Sequence, residues 1–301
     1  MKTTYSPEKV TSFLGSIEDA RPDSLVQLTE GHISQAFSFE TGQGNKYALR
    51  ISARQEDFVA DKYAADNFGA SLLVPKVTDI GRFEESAYYC ISRFVEGTPS
   101  NLVSEQELAA ALPNIQNTLA KIYQFDVSTS TGYGHLNTTT GNAKHNSWKE
   151  AIGQEIEQAG LQSFRDSTAK IGLDSEIADK FIAQFRMNLP YASEVRRLLH
   201  GDPAFDNMLV DNGRVTAIID WSSMGYGDWM SDFAYLGFWW PGRYGDAKTF
   251  ARTYGLEDDH IEKRLALYWA TNALRTIAFA DNAKSEAVGN WLKFFVSSKL
   301  V

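Results

Sequence analysis

The sequence predicts an α+β protein in two lobes, an N-terminal lobe of antiparallel sheet plus one helix and a mainly helical C-terminal lobe. Three observations carry this prediction. Before residue 97 the apolar pattern reads strand, strand, strand, helix, strand, strand. After Ser104, long stretches repeat apolar residues at helical spacing. Within that helical half stands one strand–turn–strand unit, NMLV and RVTAIID, joined by Asp211-Asn212-Gly213, a strong hairpin signal.

The elements follow in order. Residues 6–20, SPEKVTSFLGSIEDA, alternate apolar and charged residues as a helix does, with Ser6 as N-cap and Pro7 in the first helical position. Residues 24–29 and 34–40 read as strands separated by Glu30-Gly31-His32, and the turn TGQGN leads to a third strand, KYALRIS. EDFVADKYAADNFGAS is a helix ended near Gly69; VPKVTDIG and SAYYCISRFV are two further strands. Glu96-Gly97-Thr98-Pro99 is the natural hinge, so residues 1–97 are expected to form a nucleotide-binding lobe and residues 98–301 a catalytic and substrate-binding lobe. Ser104–Phe125 is a long amphipathic helix, residues 148–188 and SDFAYLGFWW read as helical, and residues 258–298 read as two helices.

Composition narrows the function. A chain of 301 residues, 43% hydrophobic and 22% charged, can bury a substantial core. The N-terminal MKTTYSPEKV lacks an apolar core, so no secretory signal is expected, and no apolar run approaches the roughly 20 residues that span a bilayer. A single cysteine, Cys90, excludes an intramolecular disulfide and a cysteine-cluster metal site. The expectation is a cytoplasmic enzyme, monomeric since nothing marks an obligate interface. A net charge of −9 argues against nucleic-acid binding and is compatible with a cationic substrate.

The chemistry concentrates in HGDPAFDNMLVDNGRVTAIIDW, His200 to Trp221. Asp202 is followed five residues later by Asn207, and Asp220 comes thirteen residues after that. A hairpin folds its ends together, so Asp202 and Asn207 would face Asp220. Phosphoryl transfer from a nucleotide needs this set: one carboxylate orients an acceptor hydroxyl and takes its proton, while an amide oxygen and a second carboxylate hold Mg2+ on the phosphates. Asp202 is therefore the expected catalytic base, and Asn207 and Asp220 the expected Mg2+ ligands. His200 reads as a scaffold residue of the loop, and too few histidines cluster there for a metallohydrolase.

HGDxxxxN, then IIDW, then Gly227-Asp228 is the motif by which the chain resembles the aminoglycoside phosphotransferases, relatives of the protein kinases, from about residue 23 to at least residue 240. LTEGHISQAFSF, YYCISR and NGRVTAIIDWS are most similar to the branch of that family acting on hygromycin B. The resemblance implies a protein-kinase-like fold, ATP and Mg2+, and an aminoglycoside acceptor whose phosphorylation confers resistance. Arg50 stands where kinases carry their phosphate-binding lysine, with Asp61 as its helix partner, although Glu56 or Asp57 could substitute. Glu30-Gly31-His32-Ile33-Ser34 would cover the nucleotide, Ser34 capping phosphates. Ser92-Arg93-Phe94 would meet adenine through backbone groups. Asp206, Asp232, Tyr235, Trp239 and Trp240 are the substrate-binding residues it suggests, Trp239 stacking on a sugar face. The competing readings are a kinase of the same fold with another small-molecule acceptor and a nucleotide-binding pseudokinase.

Overall fold

The computed structural model describes residues 4–28, 34–283 and 286–297. The chain divides into two compact units, Met1–Ile115 with Phe205–Ser222, and Gln116–Ala204 with Ser223–Val301.

In the first unit, helix α1 (Pro7–Leu14) begins as the sequence predicts, Ser6 Oγ accepting the Lys9 N–H at 3.4 Å, but stops before Gly15 because β1 starts at Ala20. Strands β1 (Ala20–Gln27), β2 (Gln35–Thr41) and β3 (Lys46–Ser52), helix α2 (Gln55–Leu72), and strands β4 (Val77–Glu84) and β5 (Ala87–Arg93) follow. The five strands form one antiparallel sheet in the order β1-β2-β3-β5-β4. Side-chain alternation decides what each face meets. Phe37, Phe39, Leu49, Ile51 and Ile91 pack with Val10 and Leu14 of α1, whereas Cys90, one step from Ile91, packs with Val77 and with Phe58 of α2. Helix α2 runs past Gly69, because an internal glycine costs only about 1 kcal/mol against alanine. It ends where Leu73 turns left-handed at φ 57°, two residues before Pro75.

The expected hinge is partly sheet. Strand β6 (Thr98–Pro99) precedes helix α3 (Glu105–Tyr123), and its two residues pair with Val210 and Leu209 of β10 (Met208–Asp211). With β11 (Arg214–Ile218) these form a second sheet, ordered β11-β10-β6. The hairpin turn is as predicted: Asn212 and Gly213 are both left-handed, at φ 48° and 74°. Backbone bonds from Ser100 N–H to Phe205 O at 3.0 Å and from Ile218 N–H to Leu73 O at 3.1 Å fix the hairpin within the first unit. Residues 98–115 and 205–222 therefore group with the N-terminal sheet, a division different from the cut at residue 97.

The second unit contains a sheet of very short strands that the apolar pattern did not reveal. Strands β7 (Tyr133–Leu136), β8 (Ala143–His145), β9 (Arg197–Leu199) and β12 (Gly225–Gly227) are ordered β8-β7-β12-β9. The helical stretch 148–188 comprises α4 (Trp148–Ala159), α5 (Leu161–Lys170) and α6 (Glu176–Asn188). Helices α7 (Met230–Trp239), α8 (Ala247–Tyr254), α9 (Ile261–Ala283) and α10 (Glu286–Ser297) complete it. Helix α9 packs against α5, α6, α7 and α10 and buries Leu267, Ala270, Ala273, Leu274, Ile277 and Ala280. Among the described residues no helix is long and apolar enough to cross a membrane.

At the base of α7 lies a fully buried ion pair, Asp228 with Arg264. Asp228 Oδ2 accepts from Arg264 Nε at 2.9 Å, Tyr268 OH at 2.7 Å and Ser193 N–H at 3.1 Å, while Oδ1 accepts from Met230 N–H at 3.0 Å and from Arg264 Nη2. Trp148 Nε1 donates in turn to Tyr268 OH at 2.8 Å. One carboxylate thus joins α7, α9 and the segment before β9. Asp228→Asn would leave the Arg264 cation buried without its counter-charge and is expected to lower unfolding free energy by about 3–5 kcal/mol in denaturant titrations, a loss under about 1 kcal/mol contradicting this role.

Candidate active site

The first unit encloses a cavity of about 350 Å³. Ala36, Ala48, Val77, Leu209 and Ile218 make its walls apolar, and Arg50, Asp61 and Asp220 line it too. Arg50 projects from β3, in register with Cys90, and pairs with Asp61 of α2. Glu56 and Asp57 face Arg54 instead, at 3.4 and 2.9 Å. Burial pulls the guanidinium pKa down, but Asp61, helped by Cys90 and Asp220, more than offsets it, so the Arg50 pKa is raised.

Asp61 has a second task. Its Oδ1 accepts the Trp221 N–H at 2.8 Å, fixing the backbone immediately after Asp220. Asp220 is left-handed at φ 61°, a conformation Asp tolerates better than bulky residues do, and Ser222 Oγ donates to its Oδ1 at 2.7 Å. The Asn207 carbonyl accepts the Ile219 N–H at 3.0 Å just beyond the Met208–Ile218 pair. Asn207 and Asp220 therefore flank the open end of one hairpin. Among the described residues no group of three or more His, Cys, Asp or Glu could hold a metal ion. One amide oxygen and one carboxylate are hard donors that fit Mg2+ completed by phosphates and water.

The other residues expected at the nucleotide are placed as follows. Glu30-Gly31-His32-Ile33 lies outside the described residues; Ser34 is half-buried, while Leu28 and Ala36 line the cavity. Ser92, Arg93 and Phe94 line it too. The Arg93 and Phe94 N–H groups, however, donate to the carbonyls of Lys76 at 2.8 Å and Lys46 at 3.1 Å, so the sheet has already engaged both.

In the second unit, Asp202 follows β9 and is half-buried. The residue before it must be glycine: Gly201 is at φ 82°, and a Cβ there would stand 2.0 Å from the Ser223 carbonyl oxygen. Asp232 of α7, expected at the substrate, braces this loop from beneath. It is 2% exposed, and its two oxygens accept the N–H groups of His200 at 2.8 Å and Gly201 at 3.1 Å. His200 is fully buried, as a scaffold residue should be.

A second cavity, of about 480 Å³, opens beside this loop, lined by Gly201, Asp232 and Tyr235. Trp239 and Trp240 are not among its lining residues. The Trp239 ring stacks one face on Trp291 of α10 at 5.8 Å and meets Phe238 edge-on. Asp206 is exposed in the turn Phe205–Asn207 of the first unit. The reading of the sequence missed Lys144, Trp148, Gln154, Glu155 and Arg275, which also line this cavity. Trp148, Ala151, Ile152 and Glu155 recur at helical spacing along α4, a signal of one shared face but not of what it faces.

A model of the phosphotransferase enzyme family matches residues 24–267. The chain belongs to this family. The phosphotransferase is 34% identical over 243 residues to the hygromycin-B 4-O-kinase of Escherichia coli, spanning 80% of this chain and 69% of that one. Its structure is similar to the crystal structure of a thermostable mutant of aminoglycoside phosphotransferase APH(4)-Ia in ternary complex with AMP-PNP and hygromycin B. The two share 28% identity and a TM-score of 0.79 over 97% of this chain and 99% of the other. The kanamycin and GDP complex of a 2"-phosphotransferase, at 16% identity and TM-score 0.67 over 97% and 95% of the two chains, shares the fold. This is the protein-kinase-like fold that the sequence predicts.

The Asp232 brace makes a pH-dependent prediction for the phosphotransferase. Burial raises its carboxyl to about 7, the His200 and Gly201 amides opposing and Asp202 adding to the rise. A folded value above the unfolded one means that its stabilising contribution is complete below the usual carboxylate value of about 4 and is lost as pH rises through about 7. Asp232→Asn loses one amide acceptor at every pH but escapes this titration. Its Tm should gain on wild type as pH is raised from about 4 to about 7 and then hold a constant offset; an offset already constant across that window would contradict the assignment.

Proposed function

We propose that this phosphotransferase moves the γ-phosphoryl group of ATP to a hydroxyl of an aminoglycoside, with hygromycin B as the leading acceptor. The supporting observation is the first cavity, whose apolar walls end at a charged Arg50 and at Asp220. An apolar slot suits a purine, and its ionic end suits a triphosphate. The relatives named above add the acceptor class.

The residues divide the work. The Arg50 fork holds α- and β-phosphate oxygens, with Asp61 keeping its orientation. Asn207 and Asp220 would hold Mg2+, which when bound supplies charge neutralisation at the β- and γ-phosphates. Because the amides of Arg93 and Phe94 are engaged, the purine edge is read by carbonyl oxygens of this segment and by groups from Val95 onward. Asp202 orients the acceptor hydroxyl and takes its proton as the bond to phosphorus forms; a loose transition state requires little elevation of its pKa. The acceptor lies in the second cavity, against Tyr235 and the loop that Asp232 braces. The working form is a cytoplasmic monomer, and its product is an inactivated antibiotic.

ADP release from Mg-ATP, measured against a panel of aminoglycosides, tests this reading. Hygromycin B is expected to stimulate release. Asp202→Asn should cut turnover by about 10²-fold or more at nearly unchanged nucleotide affinity, whereas Asp220→Ala should weaken Mg-ATP itself. No stimulation by any aminoglycoside would overturn the acceptor, and substantial turnover by Asp202→Asn would overturn the base.

A further inference from the structure

Trp148, at the start of α4, lines the second cavity, and both its backbone and its ring are clamped. Glu194 accepts the Trp148 N–H at 2.7 Å and the Lys149 N–H at 3.3 Å, which fixes the first turn of the helix. The ring lies on Gly227 of β12, where a Cβ would stand 2.4 Å from it. Trp148 Nε1 donates to Tyr268 OH at 2.8 Å, and that hydroxyl donates to Asp228 Oδ2 at 2.7 Å. Tyr268 itself is fully buried and is not among the residues lining the cavity. Packing alone does not demand such a bond. Trp229, Trp239, Trp269 and Trp291 of the same unit bury their indole N–H groups with no hydrogen-bond partner among the described residues. The indole at the cavity, by contrast, has a fixed acceptor, a hydroxyl that accepts one bond and donates another.

We infer that Tyr268 is a positioning residue for the acceptor, its hydroxyl setting the Trp148 ring as a rigid wall of the cavity. The inference rests on the acceptor reading above and adds to it a residue that never touches the acceptor. Wall and reacting loop share one anchor. Asp228 holds Tyr268, and it also accepts the Met230 N–H at the start of α7, whose Asp232 braces the loop before Asp202. Gly227, on which the ring rests, pairs in register with Arg197 of β9, the strand that leads into the same loop. An acceptor lying against a wall held in this way is restricted in the poses from which its hydroxyl can reach Asp202. Loosening the ring removes contacts made alike before and during transfer, so the loss falls on binding rather than on turnover.

Steady-state kinetics with hygromycin B and Mg-ATP on wild type, Tyr268→Phe, Trp148→Phe and the double variant test the inference, with fluorine NMR of the same proteins carrying fluorotryptophan. Tyr268→Phe keeps the ring and its packing and removes only the hydroxyl. It is expected to raise the hygromycin B KM by roughly three- to tenfold, the worth of one buried hydrogen bond, with kcat and Mg-ATP affinity within about twofold of wild type. The double variant should match Trp148→Phe alone, because Tyr268 acts through that ring. The Trp148 fluorine line, identified by its absence from Trp148→Phe, should shift or broaden in Tyr268→Phe while the other lines hold. Replacing Trp148 with benzothienylalanine, which has the ring shape but no N–H, breaks the same bond from its other end without altering Tyr268 and should raise KM alike. A lowered Tm with unchanged KM and an unmoved line would reduce Tyr268 to a structural role and overturn the inference, as would additive effects of the two substitutions. If hygromycin B stimulates no turnover by wild type, the acceptor reading fails on its own account, and the Trp148 line still decides whether Tyr268 sets the ring.

Discussion

A buried carboxylate that accepts backbone N–H groups lies beside both of the carboxylates proposed to act in the reaction, Asp220 and Asp202. Asp61 takes the Trp221 amide and so positions Asp220. Asp232 takes the amides of His200 and Gly201 and so positions Asp202. Asp228 takes those of Ser193 and Met230 at the start of α7, the helix that carries Asp232. Removing a carboxylate from water is costly, and several N–H donors with an arginine nearby are what make it tolerable. The same requirement makes the geometry stiff, because a carboxylate with engaged oxygens cannot turn without leaving a buried donor unmet.

This constraint explains how the residues proposed to react can stand on loops. Asp202 and Asp220 both follow short strands, positions free of any regular hydrogen-bonding ladder. At each, the backbone takes a left-handed step, at Gly201 before the one carboxylate and at Asp220 itself. Held from beneath by a buried acid, such a turn becomes a fixed support, and preorganised groups are what an electrostatically driven transfer needs.

Much of this was legible in the sequence, for identifiable reasons. The hairpin was readable because Asn212-Gly213 determines turn type locally, and α1 because Ser6-Pro7 marks a helix start. Arg50 and Asp61 were reached through the family resemblance, and the two side chains do pair. The bracing role of Asp232 was not legible: an acid in the first turn of a helix after the motif gives no local sign that it also holds a loop amide 31 residues upstream. Trp239 was placed on a sugar because its partner, Trp291, lies far along the chain. The charge of the second cavity was unreadable for the same reason, since Lys144, Glu155, Asp232 and Arg275 come from four elements and only folding shows which acids are engaged.

The guanidinium at position 50 also changes what reagents can do at this site. Amine-directed affinity labels, including acyl derivatives of nucleotides, react with the neutral form of the lysine usual in kinases. Arg50 offers no such form, being an arginine whose charge is held by Asp61. A chemical survey that finds nucleotide sites by acylating that lysine would pass over this enzyme at residue 50, however well ATP occupied the cavity.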